Sequence, residues 1–218
     1  LHFNSGTTSK GSSGSITLET GAAAKGTAGS VSVVIGGGDA GAGGRITINA
    51  GSSTATSSGT GGMISLMTGA GTTTSSGGFS VRTAIAGTNG VSGALSFRTG
   101  GATEGSSGAV AVKTGAATSG TAGSISLVIG SGDTSTGGRV VVNAGESTAH
   151  TGGSVSVISG LGSATSSGVF SIKTADAGAN GVSGALHFNS GTTSKGSSGS
   201  ITLETGAAAK GTAGSVSV

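Results

Sequence analysis

The sequence predicts an all-β fold, a parallel β-solenoid with about 15 residues per coil and a thin, flattened cross-section. Three observations support this prediction. A short unit recurs along the whole chain, one half of each unit alternates apolar and polar residues, and the other half consists mainly of Gly, Ala, Ser and Thr. The 218 residues include 49 glycines but neither proline nor cysteine, so disulfides and thiolate metal sites are absent from the chain.

The repeats have two levels. Residues 1–33 recur letter for letter at 186–218, and Arg45 returns as Arg139 in the long repeat that follows. About six short units make one long repeat of about 92 residues, a six-coil higher-order repeat in the predicted fold. We therefore expect one continuous array over residues 1–218, a window on a longer tandem repeat.

Each short unit begins with an alternating half, whose positions we number from the residue before the first apolar one. Position 2 is apolar in every unit: Leu1, Ile16, Val31, Ile46, Ile64, Phe79, Leu95, Val110, Ile125, Val140, Val155, Phe170, Leu186, Ile201 and Val216. Position 4 is apolar as well: Phe3, Leu18, Val33, Ile48, Leu66, Val81, Phe97, Val112, Leu127, Val142, Val157, Ile172, Phe188, Leu203 and Val218. Position 3 between them is mostly Ser, Thr or His. This alternation is typical of a half-buried β-strand, and Val and Ile favour strand over helix.

A strand of about six residues buries little by itself, so we expect each unit to stack on the previous one. Positions 2 and 4 then form internal ladders, and position 6 (Thr20, Ile35, Ala50, Thr68, Thr83) also faces inward. Position 7 is usually glycine, where a sharp turn with positive φ is expected at Gly21, Gly36, Gly51, Gly69 and Gly100. The remaining return half, rich in small residues, ends in another glycine and packs closely against the first.

Composition excludes several function classes. Only 8% of the residues are charged and 2% aromatic, and the net charge of +3 is widely spread, so no nucleic-acid partner is expected. No run of about 18 apolar residues is present, and no membrane span is expected.

The candidate metal ligands are sparse. The strings ending at Asp39 and Asp133 resemble a fragment of the calcium-binding nonapeptide repeat, but Ca²⁺ needs six or more oxygens and this Asp recurs once per long repeat. Both are interpreted as solvated turn residues. His2, His150 and His187 are too dispersed to share an ion, and no unit groups Ser, His and Asp. We predict no catalytic residue, no metal ligand and no cofactor, and hence no enzyme.

The outward positions carry the remaining signal. Arg82, Arg98 and Lys113 occupy position 5 of successive units, where a partner surface or an anion would relieve their mutual repulsion. Lys10 and Lys25 form a basic edge of two neighbouring units. Apolar residues at position 5 are candidates for lateral contacts between copies: Val34, Met67, Val128 and Ile158.

In its Gly/Ser/Thr richness and its Ser-x-Ser-Val-x-x-Gly units, as at 30–36, the chain resembles β-solenoid segments of very long extracellular repeat proteins. These include algal surface-fibre or adhesive proteins and bacterial adhesin stalks. The resemblance implies an extracellular or cell-surface location and a mechanical or adhesive role. The expected function is a structural protein, a rigid rod within an extracellular fibre or cell-surface appendage, which associates with itself into filaments or bundles.

Two alternatives stay open. One is an adhesive stalk whose hydroxyl rows bind polysaccharide or another surface; the same hydroxyls could carry O-glycans. The other is an ice-binding solenoid, for which the bulky Arg45, Met63 and Arg139 interrupt the flat Thr array that ice recognition needs.

Overall fold

A computed structural model describes residues 1–55, 58–134 and 136–217. The chain divides into two compact parts, Leu1–Ala111 and Val112–Val218, each of which contains several of the short units. Within the described ranges there is neither a helix nor a strand. The prediction of an all-β, parallel β-solenoid is therefore wrong, and so are its coils of stacked strands and its flattened cross-section. Val218, the last residue predicted at position 4, lies outside the described residues.

Backbone hydrogen bonding explains the difference. Strands of a parallel solenoid need N–H and C=O groups of one unit to pair with those of the next unit. In the part of the chain that the structure describes, the backbone–backbone hydrogen bonds join residues of the same unit. The Gly77 N–H donates to the Gly69 carbonyl at 2.9 Å, and the Gly168 N–H donates to the Gly160 carbonyl at 2.9 Å. Each unit therefore closes on itself.

Within the described residues, each return half contains a bend. Bends are at 9–11, 24–26, 39–41, 58, 72–74, 88–89, 103–105, 118–120, 133–134, 148–150, 163–165, 179–180, 194–196 and 209–211. Their spacing follows the short repeat of about 15 residues, so the period of the sequence is also a period of the backbone.

The unit closes where the glycine that ends the return half meets the side chain at position 6. A β-carbon built on Gly29 would lie 3.3 Å from the Thr20 Cβ, and one built on Gly138 would lie 2.6 Å from the Ile129 Cγ2. We call the unit-ending residues the closing glycines: Gly14, Gly29, Gly44, Gly62, Gly77, Gly93, Gly108, Gly123, Gly138, Gly153, Gly168, Gly184, Gly199 and Gly214. Each lies next to the position-6 residue of its own unit. A β-carbon would be in ordinary van der Waals contact with that residue in most units, and closer than this at Gly29, Gly44, Gly62 and Gly138.

Positive φ occurs mainly at the bends rather than at position 7. The glycines concerned are Gly6 (φ 80°), Gly11 (96°), Gly26 (146°), Gly105 (112°), Gly196 (120°) and Gly211 (110°). Only Gly6 is a position-7 residue. The expectation of positive φ at Gly21, Gly36, Gly51, Gly69 and Gly100 is wrong, because the reversal happens a few residues later, where glycine follows Lys or Glu.

Two bends are hydrogen-bonded four-residue turns at equivalent places in successive long repeats. The Gly90 N–H donates to the Gly87 carbonyl at 3.0 Å, and the Gly181 N–H donates to the Gly178 carbonyl at 3.0 Å. Asn at the third position and Gly at the fourth are residues that β-turns favour. Local sequence therefore determines the turn in both copies.

The predicted internal ladders of positions 2 and 4 are not buried. Among the residues that the structure describes, no hydrophobic or polar side chain is buried. The accessible surface is 21341 Å². A compact monomer of this mass would expose about 8,600 Å², and its fully unfolded chain about 28,600 Å². The described residues of a single copy thus form no hydrophobic core.

The alternation of the sequence corresponds to a difference in exposure between neighbouring side chains. Ile35, at position 6, is 46% exposed, whereas its neighbour Val34, at position 5, is 81% exposed. The equivalent pair in the next long repeat, Ile129 and Val128, gives 45% and 80%. Position 6 faces its closing glycine, and position 5 faces solvent.

Candidate interaction surface

The largest candidate functional feature is a repeated apolar surface. We call the side chains at positions 2 and 4 of the alternating halves the apolar rows. Apart from the terminal Leu1, the exposed fractions of the described members run from 49% at Val81 to 77% at Leu18. Every unit with both positions described contributes two such side chains. Soluble monomers rarely expose apolar surface on this scale, and where they do it marks contact with another molecule.

The apolar residues at position 5 are still more exposed than the rows. Met67 is 93% exposed and Ile158 is 87% exposed, and Val34 and Val128 also face solvent. Lateral contacts through these four residues stay a prediction.

The bends present charged side chains. Lys10 lies in the bend at 9–11, where the Thr8 hydroxyl donates to the Lys10 carbonyl at 2.8 Å and the Lys10 N–H donates to Thr8 Oγ1 at 3.2 Å. In the second copy of this segment, the Thr193 hydroxyl donates to the Lys195 carbonyl at 3.1 Å. Lys25 lies in the bend of the next unit, at 24–26. Each lysine is exposed and precedes a glycine with positive φ.

The predicted position-5 cations Arg82, Arg98 and Lys113 are exposed, and each lies in a different unit. A shallow concavity at 82–85 is lined by Arg82 and the three residues that follow it, and another lies at 4–7. Each is formed by consecutive residues of one segment, so it reflects local curvature of the chain rather than a binding pocket. Ile85, at the edge of the first, is 99% exposed.

The sequence-predicted candidates for metal binding lie apart. Asp39 and Asp133 are exposed residues in bends. The three histidines are also exposed, and of these only His150 lies in a bend. The His150 backbone N–H donates to the Ser147 hydroxyl oxygen at 3.0 Å, a contact that stabilises the bend at 148–150. Over the described ranges, no three His, Cys, Asp or Glu side chains come close enough together to hold a metal ion.

In the part of the chain that the structure describes, no residue belongs to a helix with the length and apolarity needed to cross a bilayer.

Sequence reasoning missed the contact that closes each unit. The Thr20 hydroxyl donates to the Gly29 carbonyl at 3.2 Å, across nine residues of the same unit. The signal was present in the sequence as a nearly constant spacing between position 6 and the closing glycine. This spacing indicates a contact between position 6 and the closing glycine only if the unit forms a closed loop, and not if it is a strand paired with its neighbours.

Comparison with known proteins places the chain in no family. No family model matches it, and neither a curated protein nor a solved structure is similar to it.

Proposed function

We propose that this chain is a structural protein, the building material of an extracellular fibre or cell-surface appendage, which is stabilised by association with further copies of itself. The observation that carries the proposal is the pair of exposed apolar rows repeated in every unit. A protein with a single binding task would need one such surface. A surface repeated along a whole chain suits a partner that has the same repeat.

Association through the apolar rows would remove apolar surface from water. Burying one Val, Leu or Ile side chain stabilises a structure by about 1.5–3 kcal/mol. In one copy the described side chains of the rows are about half exposed or more, so contact between copies would add a favourable contribution that a single copy lacks.

The closing contacts support the same proposal. Because each unit bends back on itself, its apolar side chains are presented at regular intervals without any neighbouring unit covering them. Small residues in the return half keep this loop narrow. Such a chain presents a regular surface before it meets a partner, which lowers the entropy cost of association.

The test follows assembly against concentration. Purified chain should be monomeric and melt without a cooperative transition at low concentration, and should form filaments or bundles above a threshold, as seen by light scattering and electron microscopy. A cooperative transition that is independent of concentration would contradict the proposal, because it would mean that one copy has a core. Amorphous aggregates without regular width would contradict the fibre.

A second candidate function is an adhesive stalk that binds polysaccharide. It is favoured by the exposed hydroxyls at position 3, such as Thr17, Ser32 and Thr47, which alternate with the apolar rows. Pull-down of the chain on insoluble polysaccharide, with bovine serum albumin as the control protein, distinguishes the two. Retention of the monomer at concentrations below the assembly threshold would favour the stalk, and an ice-recrystallisation assay on the same sample tests the third alternative.

A further inference from the structure

We propose that copies of this chain associate in parallel, staggered by one long repeat, through charged segments whose signs alternate from one long repeat to the next. These charge-alternating segments are 10–19, 104–113 and 195–204. The inference deepens the proposed function and depends on it, since a stagger exists only if the chain associates with itself. It assigns to the fibre a register that the apolar rows alone do not specify.

The first observation concerns one bend in its three copies. Lys10, Glu104 and Lys195 lie in the bends at 9–11, 103–105 and 194–196, and all three are exposed. Each precedes a glycine with positive φ, at 96°, 112° and 120° respectively. The backbone of the bend is therefore the same while the charge it presents changes from positive to negative and back to positive.

The second observation is the opposite alternation in the next short unit. Position 5 is Glu19 in the first long repeat, Lys113 in the second and Glu204 in the third, and all are exposed. Where the bend carries a cation, the following position 5 carries an anion, and the reverse holds one long repeat later. Two sites thus change sign together, in opposite directions.

These signs decide between registers. Two copies in register would place each charge opposite an identical one. A shift of one long repeat places opposite charges together at every overlapping site: Lys10 with Glu104, Glu19 with Lys113, Glu104 with Lys195 and Lys113 with Glu204. Each exposed pair contributes little by itself, but complementary charges are effective at selecting one register over another when a repeated apolar surface would accept several.

The complementarity is confined to these segments. Asp39 and Asp133 occupy equivalent places and share a sign, as do Arg45 and Arg139. Arg82 is likewise matched by Lys173. The proposed contact is therefore made by the charge-alternating segments, and these same-sign sites lie away from it.

An antiparallel arrangement makes a different prediction from the same residues. In it, Lys10 of one copy would face Glu204 of the other, Lys113 would face Glu104, and Lys195 would face Glu19. The two arrangements can therefore be distinguished by experiment. After the charge of the bend lysines is reversed, each arrangement predicts a different second substitution that restores assembly.

The experiment measures the threshold concentration for assembly of the full 218-residue chain at low and high salt. A variant with both bend lysines reversed (Lys10→Glu, Lys195→Glu) should raise the threshold about tenfold at low salt. Adding Glu104→Lys restores the alternation with inverted signs and should return the threshold to about that of the original chain. In about 1 M salt, where charges are screened beyond about 3 Å, the variants should converge.

The matched control reverses two other bend lysines. Lys25 and Lys210 lie in the same kind of bend, before Gly26 and Gly211 with positive φ, but their counterpart in the second long repeat is the neutral Ser119. Reversing both changes the net charge as much as the first variant does, yet should leave the threshold within about twofold, since no pair of opposite charges is lost.

A cross-linking experiment gives an independent readout. A carbodiimide joins an amine to a carboxylate only in direct contact, and mixing isotopically light and heavy chains identifies links between copies. The stagger predicts links from Lys10, or its identical copy Lys195, to Glu104. Links from these lysines to Glu19 or Glu204 would overturn it in favour of the antiparallel arrangement.

The remaining outcomes are also decisive. If Glu104→Lys fails to compensate while Glu19→Lys with Glu204→Lys succeeds, the stagger is wrong and the fibre proposal stands. If no variant alters the threshold at low salt, the apolar rows alone set the register and the stagger is again wrong. If the unmodified chain does not associate at any salt concentration, the proposed function fails and the stagger fails with it.

Discussion

The two halves of a short unit differ in what holds them in place. The return half is shaped by contacts within its own unit: a bend, a closing glycine and, in several units, a hydrogen bond between glycines such as Gly77 and Gly69. The alternating half has apolar side chains of the kind that form cores, yet they stay exposed. Small residues make contacts within their own unit, whereas the large apolar residues stay exposed in a single copy.

This difference separates local structure from stability. Bends form from nearest-neighbour geometry and need no core. Burial of apolar surface needs a second surface, and within the described residues one copy provides none. We therefore expect substitutions in the alternating half to change association and leave the bends intact, and substitutions in the return half to change the bends first.

The largest effect is expected from the apolar rows. Replacing two units of the rows by serine should raise the assembly threshold by more than about a hundredfold, since each side chain contributes about 1.5–3 kcal/mol where it is fully buried. The substitutions are Ile125→Ser, Leu127→Ser, Val140→Ser and Val142→Ser. Sedimentation velocity measures the threshold, and nuclear magnetic resonance of the monomer should show the bends unchanged.

The control for this variant removes as many apolar residues from outside the rows. Ile85, Val91, Leu161 and Val182 are all at least 90% exposed and belong to bends or their flanks. Replacing these four by serine should alter the threshold much less than the row variant does. Equal loss of assembly in both variants would mean that average hydropathy drives association, and the rows would have no special role.

The next effect concerns the return half and depends on space beside its backbone. A β-carbon on Gly162 would meet the Ser166 carbonyl oxygen and lie 3.2 Å from the Thr165 carbonyl oxygen, whereas one on Gly160 meets nothing within 4 Å. Gly162→Ala should destabilise the closed loop by about 1–3 kcal/mol, and Gly160→Ala should leave its stability unchanged. Because the Gly168 N–H donates to the Gly160 carbonyl, faster amide exchange at Gly168 reports the opening.

The same comparison is available in another unit. A β-carbon on Gly71 would lie 2.6 Å from the Ser75 carbonyl oxygen, and Gly69 has open space and accepts the hydrogen bond from Gly77. Exchange at Gly77 should accelerate in Gly71→Ala and not in Gly69→Ala. If both alanine variants accelerated exchange equally, flexibility of glycine rather than close approach would explain the closed loop.

How far the sequence predicts this structure depends on the range of the interaction. The period of about 15 residues and the exposure of Val34 follow from residue spacing, and the structure has both; Ile35, expected to face inward, is less exposed than Val34 but is not buried. The β-strands do not follow, because alternation specifies which side chains share a side and not whether a neighbouring backbone lies within hydrogen-bonding distance. In this chain the hydrogen bonds stay inside the unit, as between Gly168 and Gly160.

Only part of the candidate surface could be predicted from the sequence. Exposed Val34 and Met67 could be anticipated from position 5. The rows were predicted as a core, because period-2 analysis assumes that the apolar side is covered and does not say by what. Close packing of the return half against the first half was anticipated, but the hydrogen bond from the Thr20 hydroxyl to the Gly29 carbonyl was not, because the residue pattern does not specify which atoms meet.

A smaller effect is expected where positive φ alone is at issue. Gly105 has φ of 112° and open space around it, so Gly105→Ala meets no atom but places a side chain in a backbone region that is unfavourable by about 1–3 kcal/mol. Gly120, the equivalent residue one unit later, has open space without positive φ, and Gly120→Ala is the control. Backbone chemical shifts from Glu104 to Ser106 should move only in the first variant; matching shifts at the two sites would show that the bend does not need its glycine.

The smallest effect concerns the hydroxyl that helps to close the second unit. Thr20 donates to the Gly29 carbonyl at 3.2 Å, and its methyl group also lies near the position of a Gly29 β-carbon. Thr20→Val keeps the shape and removes the donor, so it should weaken the closed loop by about 0.5–1 kcal/mol, the low end for a hydrogen bond because water replaces the lost partner at this exposed site. Thr20→Ser keeps the donor and removes the methyl group. A shift of the Gly29 carbonyl carbon resonance in the Val variant, and a much smaller one in the Ser variant, would assign the closure to the hydroxyl; the reverse order would assign it to packing of the methyl group against the glycine.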